Sequence, residues 1–349
     1  MINIPLLKTI SETPGAPGFE QPIRAMIIEA VTPLVDEVTV DAMGNVFALK
    51  RGTGDKKVMI GAHLDEIGFI VTHIDEDGFV RFHTLGGFDP KTLTAQRVII
   101  HGKEDVIGVM GCKPVHLMSA AERGKKIETR DFFIDTGRTK AELEGIISIG
   151  NSITRERDLI QLGSCINGKS LDNRLSVFIL LETLRELKDV EVPYDIYGVF
   201  TVQEEVGIRG ASVAAQQINP DFGFGLDVTI AFDIPGASPH EYVTRLGKGA
   251  AIKVMDSSLI CDYRMVNYMK ETAIKHDIPW QLEVLTAGGT DTAGIQRRGK
   301  NGAISGAISI PTRYIHQVIE TASISDIRYC IDLLKQCLVE LDQYDWSFR

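Results

Sequence analysis

The chain has 349 residues, 44% of them hydrophobic and 24% charged, with a formal net charge of −10. That is enough chain for two domains, or one large domain with an insert, and for a sizeable core. The acidic balance argues against nucleic acid and anionic membranes as main partners, because both call for a basic face.

The N-terminal "MINIPLLKTISETPGAPGFE" has no basic flank ahead of an apolar signal core. No apolar run approaches the ~20 residues of a membrane span. Residues 3–35 read as helix, broken around "TPGAPGFEQP". "EVTVDAMGNVFALKRG" reads as two strands around a turn at "AMGN", and "KVMIGAH" as an apolar strand. From about residue 66 the texture changes to short alternating runs punctuated by Gly and Asp, as in "GFIVTHIDEDGFVRFHTLG" and "QRVIIHGKEDVIGVMG". After about residue 160 helices and strands alternate again. "SLDNRLSVFILLETLREL" is a helix carrying Leu175, Phe178, Ile179 and Leu184, "YDIYGVFTV" is a buried strand, and "GFGLDV" ends another. An amphipathic helix through Ile327, Ile331, Leu334, Leu338 and Leu341 closes the chain.

The simplest architecture is an α/β domain made of residues 1–65 and 160–349, with a β-rich insert at 66–159 between its halves. Five scattered cysteines (Cys112, Cys165, Cys261, Cys330 and Cys337) form no CxxC pair. They argue against a disulfide framework or a Cys-rich zinc site and fit a reducing cytoplasm.

Chemistry in open α/β sheets gathers at the carboxyl ends of strands. Several predicted strand ends carry metal-type side chains: His63 and Asp65 in "VMIGAHLDE", Glu204 and Glu205 in "VFTVQEE", and Asp227 in "GFGLDV". Asp172 opens a helix in "SLDNR", and His316 lies in the loop "TRYIHQ". Each alone has a plain structural reading: a hydrogen-bonded histidine, an Asx turn, or a charge in the first turn of a helix. Together, two histidines and several carboxylates suggest a borderline divalent cation such as zinc or cobalt.

A charge count sharpens this. If Asp172, Glu205 and Asp227 hold two divalent ions with His63 and His316, three carboxylates and one bridging hydroxide balance the ions. Neutral balance suits a partly buried site. Glu204 is left over, and a free carboxylate beside an activated water is a general base.

In this order, "GAHLDEIGFIV", "SLDNR", "VQEEVGIRGA", "GLDV", "GGTDTAG" and "SIPTRYIH" resemble the tetrahedral (TET) aminopeptidases, also called the glutamyl aminopeptidase family. The resemblance spans nearly the whole chain. It implies a mixed-sheet α/β/α metallopeptidase domain with a barrel- or PDZ-like β-rich insert used for dimerisation. It further implies a co-catalytic site of two Zn²⁺ or Co²⁺ ions bridged by Asp172. His63 and Asp227 would complete one ion's ligands, Glu205 and His316 the other's. Glu204 would be the base and Asp65 would orient the His63 imidazole. A non-proline cis peptide is implied at Asp172–Asn173. Dimers would build a hollow tetrahedral dodecamer that admits only short peptides.

The sequence departs from the family at Asn173, where relatives often have Asp, and at Gln317 and Val318 after the last histidine. The second departure bears on specificity. "GGTDTAG" offers Thr290 or Asp291 to the substrate, or is a glycine-rich turn with a capping aspartate. Arg245, Lys248 and Lys253 are the cations that an acidic N-terminal residue would need. The competing functions are a related zinc deacylase or carboxypeptidase, and a scaffold of the same fold without metals. A metal-free glycosidase would need two carboxylates flanking a sugar.

Overall fold

A computed structural model describes residues 2–348. Its centre is four parallel strands, laid side by side in the order Asp195–Thr201, Lys57–His63, Phe222–Ile230 and Ile304–Arg313. All four are nearly continuous apolar runs, as strands covered on both faces must be. Further strands extend the sheet to eleven, antiparallel except that Trp280–Val284 runs parallel to Ala250–Met255. The hairpin Glu37–Val40 and Val46–Lys50 continues one edge. Its turn is tied by Asp41, whose Oδ1 accepts the N–H groups of Met43, Gly44 and Asn45.

Five helices cover one face: Ile4–Glu12, Gln21–Val31, Leu171–Leu187, Tyr263–Lys275 and Ile324–Val339. Arg209–Ile218 and Asp291–Arg298 cover the other. Asp291–Arg298 sits so close to the sheet that a Cβ at Gly225 would fall 1.7 Å from Thr292 Oγ1, so only glycine fits there. Leu171–Leu187 lies between the sheet and its neighbouring helices. It is apolar all round, with Val177, Phe178, Ile179, Leu180 and Leu181 all fully buried, rather than on one face. The last helix stops at Val339, and Leu341 remains buried in a following 3₁₀ turn.

The stretch between Gly68 and Arg155 forms a closed barrel of six strands. Its core is separate from that of the sheet and holds Phe69, Val80, Val98, Ile100, Phe132, Ile134 and Ile153. Alternation is clear in Asp105–Cys112, where Val106 and Met110 point inward and Ile107 and Val109 outward.

Candidate metal and catalytic site

His63 is the last residue of its strand and lies beside Thr201, the last of the neighbouring strand. After Thr201 the chain leaves strand geometry. Gln203 takes a left-handed φ of 56°, which lets the adjacent Glu204 and Glu205 reach one site. Asp227 is not at a strand end, as the sequence had suggested. Its strand runs three residues further, because pairing with Ile304–Arg313 continues to Ile230. Pairing on the other side, with Lys57–His63, stops at Gly225, so Asp227 is free to face His63. Asp172 and Asn173 are non-helical and joined by a cis peptide bond ahead of the regular helix. His316 sits in the loop after Arg313 with φ 67°.

These elements bring the side chains together. Asp172 Oδ1 is 3.3 Å from His63 Nε2, and its Oδ2 is 3.3 Å from His316 Nε2. Asp227 lies 3.8 Å from His63 Nε2, and Glu205 3.4 Å from His316 Nε2. Two groups result, His63–Asp172–Asp227 and Asp172–Glu205–His316, each with its donor atoms within 4.8 Å of one another. Glu204 belongs to neither group, although its carboxylate is 3.8 Å from His63 Nε2.

Burial sets the electrostatics. It pushes Glu204 and Asp227 well above the ordinary carboxylate range, against the pull of His63. Glu205 is raised by burial and by neighbouring Asp172. Burial also opposes charge on Asp172, but His316 and His63 outweigh it and hold the group well below its usual value. Both imidazoles resist burial through their carboxylate partners, Asp172 first for each. His63 rises well above its ordinary value and His316 to about 11. Buried carboxyls set this close oppose one another's ionisation, which a cation between them would relieve. Glu205 Oε1 is buried with no hydrogen-bond partner. Imidazole and carboxylate donors at this spacing, with a buried oxygen left unpartnered, fit metal binding.

Asp65 stands against His63 with both its main chain and its side chain. His63 Nδ1 meets the main-chain carbonyl of Asp65 at 3.0 Å, whereas the carboxylate stands 3.5 Å away. A donating Nδ1–H on that carbonyl leaves the Nε2 lone pair facing the cluster. The Asp65 carboxylate also accepts the N–H groups of Glu204 and Glu205.

A cavity of about 520 Å³ opens over the cluster, walled by Ile208, Ile230, Leu285 and Ile315 and floored by the metal-type residues. Thr290 lines it, and its hydroxyl lies 3.3 Å from Asp256 Oδ2. Asp291 does not line it. That carboxyl is buried against Gly61 and takes a hydrogen bond from Thr201; burial raises it to about 6. Lys253 lines the cavity but is already paired with Glu283 and Asp256. Arg245 and Lys248 are exposed outside it. Gln317 and Val318 do not line it either, and Val318 is buried.

Several residues around the site were not singled out from the sequence. Glu320 accepts the N–H of Asp172 at 2.9 Å and that of His316 at 2.8 Å. Glu66, buried beneath the Asp172 turn, receives Lys169 at 2.7 Å and also the Ser170 hydroxyl. Burial opposes its charge, but Lys169 and Arg174 outweigh it and lower the pKa. The only signal for either residue was position: Glu320 follows His316 by four residues, and Glu66 follows Asp65.

The M42 glutamyl aminopeptidase family model matches residues 44–333. A putative aminopeptidase of Acetivibrio thermocellus is 41% identical over 334 residues, covering 95% of this chain and 97% of that one. The TET aminopeptidase of the marine sediment archaeon Thaumarchaeota archaeon SCGC AB-539-E09 superposes with a TM-score of 0.94 at 37% identity, over 97% and 96% of the two chains. The Pyrococcus horikoshii TET1 peptidase, which can assemble into a tetrahedron or a large octahedral shell, gives 0.87 at 31%, over 97% and 99%. On that breadth of similarity, this chain belongs to the M42 glutamyl aminopeptidase family and is an enzyme of the aminopeptidase class, a hydrolase acting on peptides.

Proposed function

We propose that the chain removes N-terminal residues from short peptides, using two divalent ions of the Zn²⁺ or Co²⁺ type. The observation that carries this reading is Asp172, whose two oxygens each face a different imidazole at 3.3 Å. His63 and Asp227 would hold one ion with it, and Glu205 and His316 the other. Ions bound there supply Lewis acidity that polarises the scissile carbonyl and lowers the pKa of the attacking water.

The chain's own groups do the rest. Glu204 lines the cavity without belonging to either ligand group, and its carboxyl is held well above the ordinary range by burial. It takes the proton of the attacking water and returns it to the leaving nitrogen. Ile208, Ile230 and Ile315 give the substrate an apolar wall beside the reacting bond. Asp65 and the Glu66 ion cluster hold the ligand-bearing turns in register.

Self-association to dimers and a tetrahedral dodecamer is part of the same reading, supported by the TET1 relative and by Ile107 and Val109 exposed on the barrel. Five unpaired cysteines suit a cytoplasmic setting. Among the described residues no helix is long and apolar enough to cross a membrane.

The test is a panel of aminoacyl chromogenic substrates, with N-acylated counterparts, assayed after chelation and after return of Zn²⁺ or Co²⁺. Free-amine substrates should be cleaved, and only with metal. Preference for the N-acylated set would favour a deacylase. Full activity in verified metal-free protein would sink the dinuclear reading.

A further inference from the structure

His316 is placed by contacts from two bodies of the fold. Its φ of 67° is a left-handed conformation that few residues other than glycine adopt, so its neighbours must fix it. The N–H of His316 donates to Glu320 Oε1 at 2.8 Å. Its carbonyl accepts from Arg155 Nη1 at 3.0 Å. One peptide group on either side of the α-carbon is thereby held by a buried polar side chain; Glu320 is 1% and Arg155 3% exposed. Glu320 belongs to the sheet, and its second oxygen holds the N–H of Asp172 at 2.9 Å. Arg155 belongs to the barrel, at the end of the strand Ser152–Arg155.

The barrel in turn fixes Arg155. The guanidinium lies 5.5 Å from the centre of the Phe88 ring, and Phe88 stacks at 4.5 Å on Phe69 of the barrel core. The loop carrying Phe88 also runs along the site. A Cβ at Gly87 would come 3.4 Å from His316 Nδ1, and one at Gly86 3.4 Å from the Glu205 Cβ. Packing therefore runs from Phe69 through Phe88 and Arg155 to the His316 carbonyl.

We propose that Arg155 and Glu320 are positioning residues that clamp the His316 peptide from opposite sides, so that the barrel is a working part of the metal centre. This rests on the reading of His316 as a metal ligand. A carboxyl acceptor on one flanking peptide group and a guanidinium donor on the other fix both sides of the His316 α-carbon. Losing either lets the imidazole drift from the ion it shares with Asp172 and Glu205. Losses of this kind cost roughly 10- to 100-fold in metal affinity.

The test compares the full-length chain with Arg155→Met, Arg155→Lys and Glu320→Gln. Each is stripped of metal, then titrated with Zn²⁺ against a chromophoric chelator, with thermal melting of the metal-free form measured alongside. Two ions should bind wild type. Arg155→Met should bind the first with unchanged affinity and the second roughly 10- to 100-fold more weakly, and Glu320→Gln, whose side chain also holds Asp172, should weaken the second by at least as much. Arg155→Lys, which keeps a donor, should fall between. A purely structural role would lower the melting temperature and leave both affinities alone, which overturns the proposal. If Arg155→Met does not fold, Arg155→Lys decides by the same criterion. A wild-type chain that takes up one ion or none removes the ligand reading, and the clamp with it. Two ions in wild type beside equal affinities in the variants remove the clamp alone.

Discussion

Asp65 holds Glu204 by the main chain: one carboxylate oxygen of the aspartate accepts the Glu204 N–H at 3.0 Å, and the other takes the Glu205 N–H at 3.1 Å. A single buried carboxylate thus sets where both glutamates begin. Asp65→Asn keeps the main-chain carbonyl that meets His63 Nδ1, but turns an amide N–H toward one of the two glutamate N–H groups. We expect kcat to fall roughly 10- to 100-fold with KM little changed. Wild-type kcat in a folded Asp65→Asn protein would show that the glutamates need no such brace.

Glu204 and Glu205 should separate in a paired experiment. Glu204→Gln keeps shape and removes a proton acceptor, so it should retain metal and lose about 10²–10⁴ in turnover. Glu205→Gln removes a charged group 3.4 Å from His316 Nε2 and should weaken the binding of one ion, with partial rescue by added metal. Elemental analysis beside single-turnover rates reads both. Metal loss in Glu204→Gln with retention in Glu205→Gln would reverse the two roles.

Asp326 gives a pH-dependent contribution away from the metal cluster. Its carboxylate accepts the N–H groups of Gly247 at 2.7 Å and Gly249 at 2.9 Å. Burial nevertheless raises its pKa to about 6, with the two N–H bonds opposing. The native form holds its proton more tightly than the unfolded chain, whose pKa is about 3.9. The stabilisation is therefore full below pH ~4 and is lost as pH rises through about 6. It is worth up to roughly 3 kcal/mol. Asp326→Asn, which cannot ionise, should lack that slope. Urea unfolding of the metal-free proteins between pH 4 and 7 compares them, and parallel stability curves would count against this assignment.

Ile107 is 63% and Val109 48% exposed on the outer face of one barrel strand. Two apolar side chains side by side in water are a natural contact for a second copy. Replacing both with glutamate should reduce the particle mass seen by light scattering while leaving the melting temperature within a few degrees. A monomeric wild type at micromolar concentration would end the assembly reading.

The proposed ligand side chains were legible because most follow an apolar strand or open a helix, where sequence and chemistry coincide, while His316 stands in a loop just after one. Asp227 shows the limit. Its identity was readable, but its place within a continuing strand depends on pairing that ends earlier on one side than on the other. The helix Leu171–Leu187 was legible as a helix, but not as one buried all round, since that follows from neighbours elsewhere in the chain. Arg155 left no pattern at all, and Glu320 only its place four residues after His316. Asp172 lies 148 residues from Glu320 and His316 161 from Arg155, and what is gripped is main chain, which looks the same at every residue.

The chain passes into the barrel soon after His63 and Asp65 and leaves it at Arg155, ahead of Asp172. A barrel transplanted from a relative would bring its own counterparts of Arg155, Gly86 and Gly87 against a host histidine loop to which they were never matched. Chimaeras cut at these two seams should fold in both halves and still be poor enzymes, until residues 313–320 are exchanged with the barrel. The smallest interchangeable part of this fold would then be the barrel together with a loop far from it in sequence.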